Sequence, residues 1–372
     1  RNRQNHINMP KIAVKLANGP SRSYDIIIEN GLARKIPAIL KKQAYGQKYA
    51  IISDATVAKL YGGRLLKDLE RSGIKAHLIS FSAGDKHKSL ETCAKILNQL
   101  LSKNFDRKDA IIAFGGGVTG DLAGLCASIF KRGIPYIQVP TTLLAMTDSG
   151  IGGKTGVNLG AGKNLAGTIY QPRAVLIDPG FLKTLPEREL LCGMSEVVKY
   201  GIIKSPNLFE TIEKNGKKLN SVLMNKIIMQ SCRIKADIIG KDEFEKGPRM
   251  ILNYGHTIGH AIEKLSDYKI AHGQAIAAGM KLVNNMSLNH NLINKSDHLR
   301  INNLIKKLNL ALIKGKSLLI PKNADMLWKI MQSDKKNNDG KVRFVIVPKI
   351  GTTKFYDKFT KKDLISALKH YD

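Results

Sequence analysis

His256 and His260 stand one helical turn apart in the stretch Leu252-Asn253-Tyr254-Gly255-His256-Thr257-Ile258-Gly259-His260-Ala261-Ile262-Glu263, and His272 follows in Ala271-His272-Gly273. At a spacing of i, i+4 both imidazoles fall on one face of a helix. A zinc protease presents two ligands in this way, with a glutamate directly after the first histidine as base. Here Thr257 occupies that place, so the protease reading fails. What remains is a helical metal site with His256 and His260 as ligands and His272 as a possible third, or an amphipathic helix whose histidines are solvated or packed. Glu196 lies upstream and adds a carboxylate; a carboxylate with imidazoles suits zinc or a similar divalent ion.

A second group of residues is suited to anions. Gly115-Gly116-Gly117-Val118-Thr119-Gly120-Asp121 fits G-x-G-x-x-G between an apolar strand and a helix. Glycines there let a pyrophosphate approach the backbone, and the helix start offers N–H groups and a positive dipole end. The next strand ends in Pro140-Thr141 and not in an acid that could hold a ribose, so the upstream loop acids Asp54 and Asp85 are the candidates for that role. Gly152-Gly153-Lys154-Thr155 resembles the end of a P-loop, but Asp148 stands where that motif needs glycine. Glycines flanking Lys154 and Lys163 still suit a phosphate or carboxylate, and the stretch 140–168 reads as a long loop.

These residues need elements to hold them. Alternating apolar residues at 11–17 and 24–29 around Asn18-Gly19-Pro20 read as a hairpin. Strands at 49–53, 76–81, 110–114, 134–139 and 175–177 alternate with helical stretches, which implies a parallel α/β sheet. From Leu185 onward the pattern is helical, near 207–217, 219–240, 255–266, 273–289, 296–308 and 322–332, with a late strand at 341–347 and a last helix at 360–370. The expected architecture is a Rossmann-like α/β domain over 11–180 and a mainly α-helical domain over 181–372, with the active site in the cleft between them. Residues 1–10 are expected to be a disordered or non-native lead, with Met9 a candidate natural start.

Composition narrows the function. The length of 372 residues suits about two domains. No apolar run approaches a membrane span. The four cysteines form no C-x-x-C pair, which argues against a disulfide framework or thiolate zinc site and makes the cytoplasm the default compartment. The net charge of +30 is spread along the chain without a basic block or an aromatic stacking pattern. That favours an anionic small-molecule substrate over nucleic acid or a membrane.

Taken in order, the motifs at 115–121, Pro140-Thr141-Thr142-Leu143-Leu144, 152–158, Gly162-Lys163-Asn164, Glu196-Val197-Val198-Lys199-Tyr200-Gly201 and 252–263 resemble those of the 3-dehydroquinate synthase family. The resemblance is collinear from about residue 11 to the C-terminus. It implies conversion of 3-deoxy-D-arabino-heptulosonate 7-phosphate to 3-dehydroquinate and phosphate, with NAD and a divalent metal, zinc or cobalt, in a cytoplasmic homodimer. It implies Glu196, His256 and His272 as metal ligands, which moves His260 to the substrate side. Substrate would be held by Asp148, Lys154, Asn164, Lys199, Lys235, Glu245, Arg249, Asn253, His260 and Lys341, with Arg132 reaching across a dimer interface. NAD would lie against Asp54, Asp85, Lys88, Gly116, Gly117, Val118, Thr119, Gly120, Asp121, Thr141, Thr142, Lys154, Lys163, Phe181, Leu182, Lys183 and Thr184. The chain departs from the family pattern at Asp85, Met146-Thr147, Gly150 and Ser195, which bears on cofactor affinity more than on the reaction. A related sugar-phosphate cyclase and a metal-dependent alcohol dehydrogenase of similar fold are the alternatives. The lysines and Arg249 argue against a small neutral alcohol.

Overall fold

The structure, a computed structural model, describes residues 10–16, 22–313, 318–333 and 341–371. Residues 1–9 of the expected lead, the hairpin turn at 18–20 and the approach to the late strand at 334–340 lie outside them. The chain divides into two compact units. One comprises residues up to Leu185 together with Met224–Phe244; the other comprises Pro186–Leu223 and everything from Glu245 onward.

The first unit holds β1 (Lys11–Val14), β2 (Tyr24–Ile28), α1 (Ile36–Gln43), β3 (Lys48–Asp54), α2 (Ala55–Val57), α3 (Gly63–Arg71), β4 (Lys75–Phe81), α4 (Leu90–Ser102), β5 (Ala110–Gly115), α5 (Gly117–Ile129), β6 (Tyr136–Pro140), β7 (Lys154–Leu159), β8 (Gly162–Ile169) and β9 (Ala174–Ile177). Its main sheet runs β1-β2-β9-β6-β5-β3-β4, parallel except for the β1–β2 edge pair. The inner strands β5, β6 and β9 are buried at every position, as a parallel sheet covered on both faces requires. Chain order reverses between β3 and β5: β4 is added beyond β3 and β6 beyond β5. The carboxyl ends of strands at such a switch point are where open α/β sheets take ligands. Here those ends are Asp54 and Gly115.

The stretch 140–168 is not one long loop. β7 and β8 pair as an antiparallel hairpin. Its glycines are required by close approach, since a methyl on Gly156 would come 2.6 Å from the Ala166 carbonyl oxygen. Glycine in place of β-branched or aromatic residues is what hid these strands.

The second unit holds α6 (Glu187–Lys204), α7 (Pro206–Asn215), the start of α8 (Ser221–Lys241), α9 (His256–Leu265), α10 (His272–Asn289), α11 (Lys295–Lys307), α12 (Ala324–Gln332), β10 (Phe344–Lys349), β11 (Thr352–Tyr356) and α13 (Lys361–Lys369). The late strand is therefore one arm of a β10–β11 hairpin. Most of α8, which the sequence grouped with the helical domain, packs with the first unit: the Cys232 thiol lies 3.3 Å from the Met146 carbonyl oxygen. No helix among the described residues is long and apolar enough to cross a membrane.

Within the second unit α9 and α10 meet through small residues. A side chain on Gly279 would overlap the Gly255 carbonyl oxygen, and one on Gly259 would come 2.7 Å from Ile276 Cδ1. This antiparallel contact lays α9 along the first turns of α10, with the His256 and His272 rings 5.5 Å apart between centroids. Gly279→Ala should therefore lower stability by about 1–3 kcal/mol, the range for overpacking, despite alanine's better helix propensity. Urea denaturation of the purified variant checks this; a neutral or stabilising result would show that the interface has slack.

Candidate active site

The second unit brings three donors together. Glu196 comes from the middle of α6 and is fully buried. His256 is the first residue of α9 and His272 the first of α10. The Nε2 atoms of His256 and His272 lie 3.5 and 3.7 Å from Glu196 Oε1. Ligand atoms of all three residues fall within 4.8 Å of one another. A carboxylate and two imidazoles converging from three helices fit a divalent ion with positions left open for substrate or water.

His256 and His260, the pair the spacing suggests, do not share one donor group among the described residues. The rings stand edge to face, 5.3 Å apart between centroids. His260 is exposed and groups instead with Glu263 and His272. A spacing of i, i+4 puts two side chains on one helix face but does not make them converge on one point. That depends on what α6 and α10 bring opposite. Glu263, buried on the same stripe of α9, places Oε2 3.1 Å from His272 Nδ1. Sequence reasoning assigned Glu263 no role, although its i+7 spacing from His256 was readable.

Charge differs sharply between the two imidazoles. Burial pulls His256 well below the usual histidine range, and the nearby Lys199 charge, His260 and His272 add to this. Burial also acts to lower His272, but hydrogen bonds and charge from Glu196 and Glu263 outweigh it and hold that imidazolium up to about 10. Around the donors, Lys199 is buried and paired with Glu196 one turn along α6. Arg249 is buried. Asn253 donates through its side-chain amide to Glu245 Oε1 at 2.8 Å.

The first unit gathers its own set at the carboxyl ends of β3 and β5. Asp54 caps α2 through the Thr56 and Val57 amides and accepts from the Thr119 hydroxyl at 3.2 Å. Gly116 leads into α5, whose N-terminus carries no side-chain cap. A side chain on Gly117 would come 2.9 Å from Ser149 Oγ, so the glycine run is also a packing requirement. Lys88 is buried and donates to both Asp121 and Asn164. Lys163 and Asp85 form an ion pair at 3.0 Å. Lys235 on α8 reaches Asp148 Oδ1 at 2.5 Å. The Thr184 hydroxyl bonds to that of Tyr61.

A family model for the N-terminal part of 3-dehydroquinate synthase matches residues 78–192, and one for the C-terminal part matches 193–337. The 3-dehydroquinate synthase of Rippkaea orientalis is 42% identical over 365 residues, covering 96% of this chain and 98% of that one. The chain belongs to the 3-dehydroquinate synthase family. Solved structures of other synthases share the fold. A 2-epi-5-epi-valiolone synthase from Streptomyces hygroscopicus, with NAD+ and Zn2+ bound, superposes at a TM-score of 0.85 with 27% identity, covering 94% of this chain and 96% of its own. A 2-deoxy-scyllo-inosose synthase complexed with carbaglucose-6-phosphate, NAD+ and Co2+ gives 0.84 and 27%, covering 97% and 100%.

The residues that the resemblance to 3-dehydroquinate synthases names thus sort by unit. Asp54, Asp85, Lys88, the 116–121 run, Thr141, Thr142, Asp148, Lys154, Lys163, Asn164, 181–184 and Lys235 lie in the first; Glu196, Lys199, Glu245, Arg249, Asn253, His256, His260, His272 and Lys341 lie in the second. Lys154 is exposed. Arg132 and Lys341 are exposed too, and no hydrogen bond or ion pair among the described residues ties either to the clusters.

The high imidazolium of His272 has a measurable consequence. With His272 held up to about 10, the metal-free centre should carry that proton at pH 7, and a ligand imidazole must lose it. Loading zinc into metal-free protein should release about one proton per ion near neutrality, and affinity should rise with pH toward about 10. His256, already held neutral, should add nothing. Calorimetry in buffers of different ionisation enthalpy measures the count; loading without proton release would show that His272 is neutral before the ion arrives.

Proposed function

We propose that this chain is a working 3-dehydroquinate synthase, converting 3-deoxy-D-arabino-heptulosonate 7-phosphate to 3-dehydroquinate and phosphate. The observation that carries the reading is the convergence of Glu196, His256 and His272 in a chain 42% identical, over nearly its whole length, to a curated enzyme of that name. The order of events is transient oxidation of a ring hydroxyl, phosphate elimination, re-reduction, ring opening and intramolecular aldol closure, with no net redox change. When bound, NAD supplies hydride exchange, and zinc or cobalt polarises a substrate oxygen.

The chain's own residues position and neutralise. Glu196, His256 and His272 would hold the ion. Asp54 and Asp85 would take the ribose hydroxyls, and the 116–121 run would face the pyrophosphate. Lys199, paired with Glu196, and Arg249 are buried, and their positive charge would attract an anionic substrate. Glu245 fixes the Asn253 amide, so that asparagine meets a substrate hydroxyl in one orientation. His260 is exposed one turn beyond His256 and would take and return a proton on substrate. Aligned groups of this kind lower the barrier by orienting reactants and stabilising developing charge. We further propose action in the cytoplasm as a homodimer. The exposed Arg132, on backbone with φ 68°, is the residue offered to a partner subunit.

Incubation with the heptulosonate phosphate, NAD and zinc should release phosphate and dehydroquinate in equal amounts with no lasting NADH. No phosphate release, or steady NADH accumulation as in an alcohol dehydrogenase, would sink the reading. Glu196→Ala, His256→Ala and His272→Ala should each lose bound metal on elemental analysis. His260→Ala should keep it and lose turnover by roughly 10²-fold or more, the contribution of a general acid–base. Metal loss in His260→Ala with retention in Glu196→Ala would overturn the ligand assignment.

A further inference from the structure

His272 is shared by two possible donor sets. One of its ring nitrogens lies within 4.8 Å of ligand atoms of Glu196 and His256, and one within 4.8 Å of those of His260 and Glu263. An imidazole nitrogen binds an ion only through a free lone pair, so the proton on the other nitrogen decides which way the ring can serve. The two nitrogens of His272 meet different carboxylates: Nδ1 is 3.1 Å from Glu263 Oε2, and Nε2 is 3.7 Å from Glu196 Oε1. Glu263 is 4% exposed and cannot swing away into water. It lies on a helix whose first residue is His256 and which packs tightly on α10 through the contact of Gly279 with Gly255. A buried carboxylate only accepts, and an Nδ1–H is the donor opposite it.

We propose that Glu263 is the positioning residue of the metal centre. By accepting the hydrogen bond from His272 Nδ1 it commits Nε2 to the ion held with Glu196 and His256, and leaves His260 outside the ligand set. An outer carboxylate of this kind fixes ring orientation and raises the basicity of the ligand nitrogen. The inference rests on the metal centre described above and adds what selects one donor set over the other. The position also explains why a histidine pair at i, i+4 is not the ligand pair: the third acidic or basic residue on the α9 stripe steers His272 toward α6.

The test is cobalt titration of the metal-free protein, followed by visible ligand-field absorption. The unaltered protein should bind cobalt. Glu263→Ala should weaken binding about 10- to 100-fold and change the absorption bands, because the His272 ring is released. Glu263→Gln, whose amide oxygen can accept the same bond, should recover most of the affinity and the original bands. His260→Ala should leave both unchanged. Histidine ¹⁵N shifts of the zinc-loaded unaltered protein give a reading that needs no variant: His272 should carry its proton on Nδ1 and its metal shift on Nε2. Unchanged affinity and spectrum in Glu263→Ala, or a metal-shifted Nδ1, would overturn the proposal. So would loss of cobalt in Glu263→Ala and His260→Ala with retention in Glu196→Ala, which would make Glu263 a ligand itself. If the unaltered protein binds no cobalt, the metal-centre reading fails first and this inference with it.

Discussion

The approach of α9 to α10 sets the geometry on which the metal centre depends. Gly255, Gly259 and Gly279 let the two helices approach until an added methyl would strike the facing backbone or the Ile276 and Met280 side chains. The helices run antiparallel through this contact, so the packing that sets Gly255 against Gly279 also lays the later turns of α9 beside His272, whose ring lies 5.5 Å from that of His256 between centroids. Gly273 extends the same device toward α6: a side chain there would overlap the Cys192 backbone, which keeps Glu196 one turn further along within reach. Sites built on packed helices hold their donors more tightly than sites built on loops.

Electrostatics in the first unit follows a complementary logic. In a chain of net charge +30, the buried lysines there are paired: Lys88 with Asp121 and Asn164, Lys235 with Asp148. Each pair ties together segments distant in sequence. Lys88 joins the turn before α4 to α5 and β8, and Lys235 joins α8 to the turn after β6. Breaking one partner of such a pair leaves an uncompensated buried charge, which costs more than the pair contributes. These cations are therefore struts of the loops at the sheet's carboxyl end as much as candidates for touching a substrate. The resemblance alone, which assigned them to cofactor and substrate, did not show that.

What the sequence made legible was periodic. The βαβ alternation and the fingerprint between β5 and α5 were readable because inner strands are continuous apolar runs and the helix start is marked by glycine. The β7–β8 hairpin was missed because Gly156 and Gly167 stand where strand-forming side chains would signal it. β11 was missed because Thr352–Tyr356 is a largely exposed strand without alternation. Helical period located α8 but could not say which body it packs on. Cys93 and Cys126, separated in sequence, come to 3.3 Å between sulfurs in the first unit's core, a neighbourhood that spacing rules for cysteine could not register. In the metal centre the stripe on α9 was readable and its meaning was not, because convergence is decided by α6 and α10.

The central claim is that the ion is held by Glu196, His256 and His272, and not by the histidine pair the spacing suggests. An anomalous difference map at the zinc edge, from a crystal of the zinc-loaded protein, tests it most directly. The account predicts one peak at ~2.0–2.2 Å from a Glu196 oxygen and the Nε2 atoms of His256 and His272, with His260 outside that shell. A peak coordinated by His260 and Glu263, with Glu196 unengaged, would contradict it.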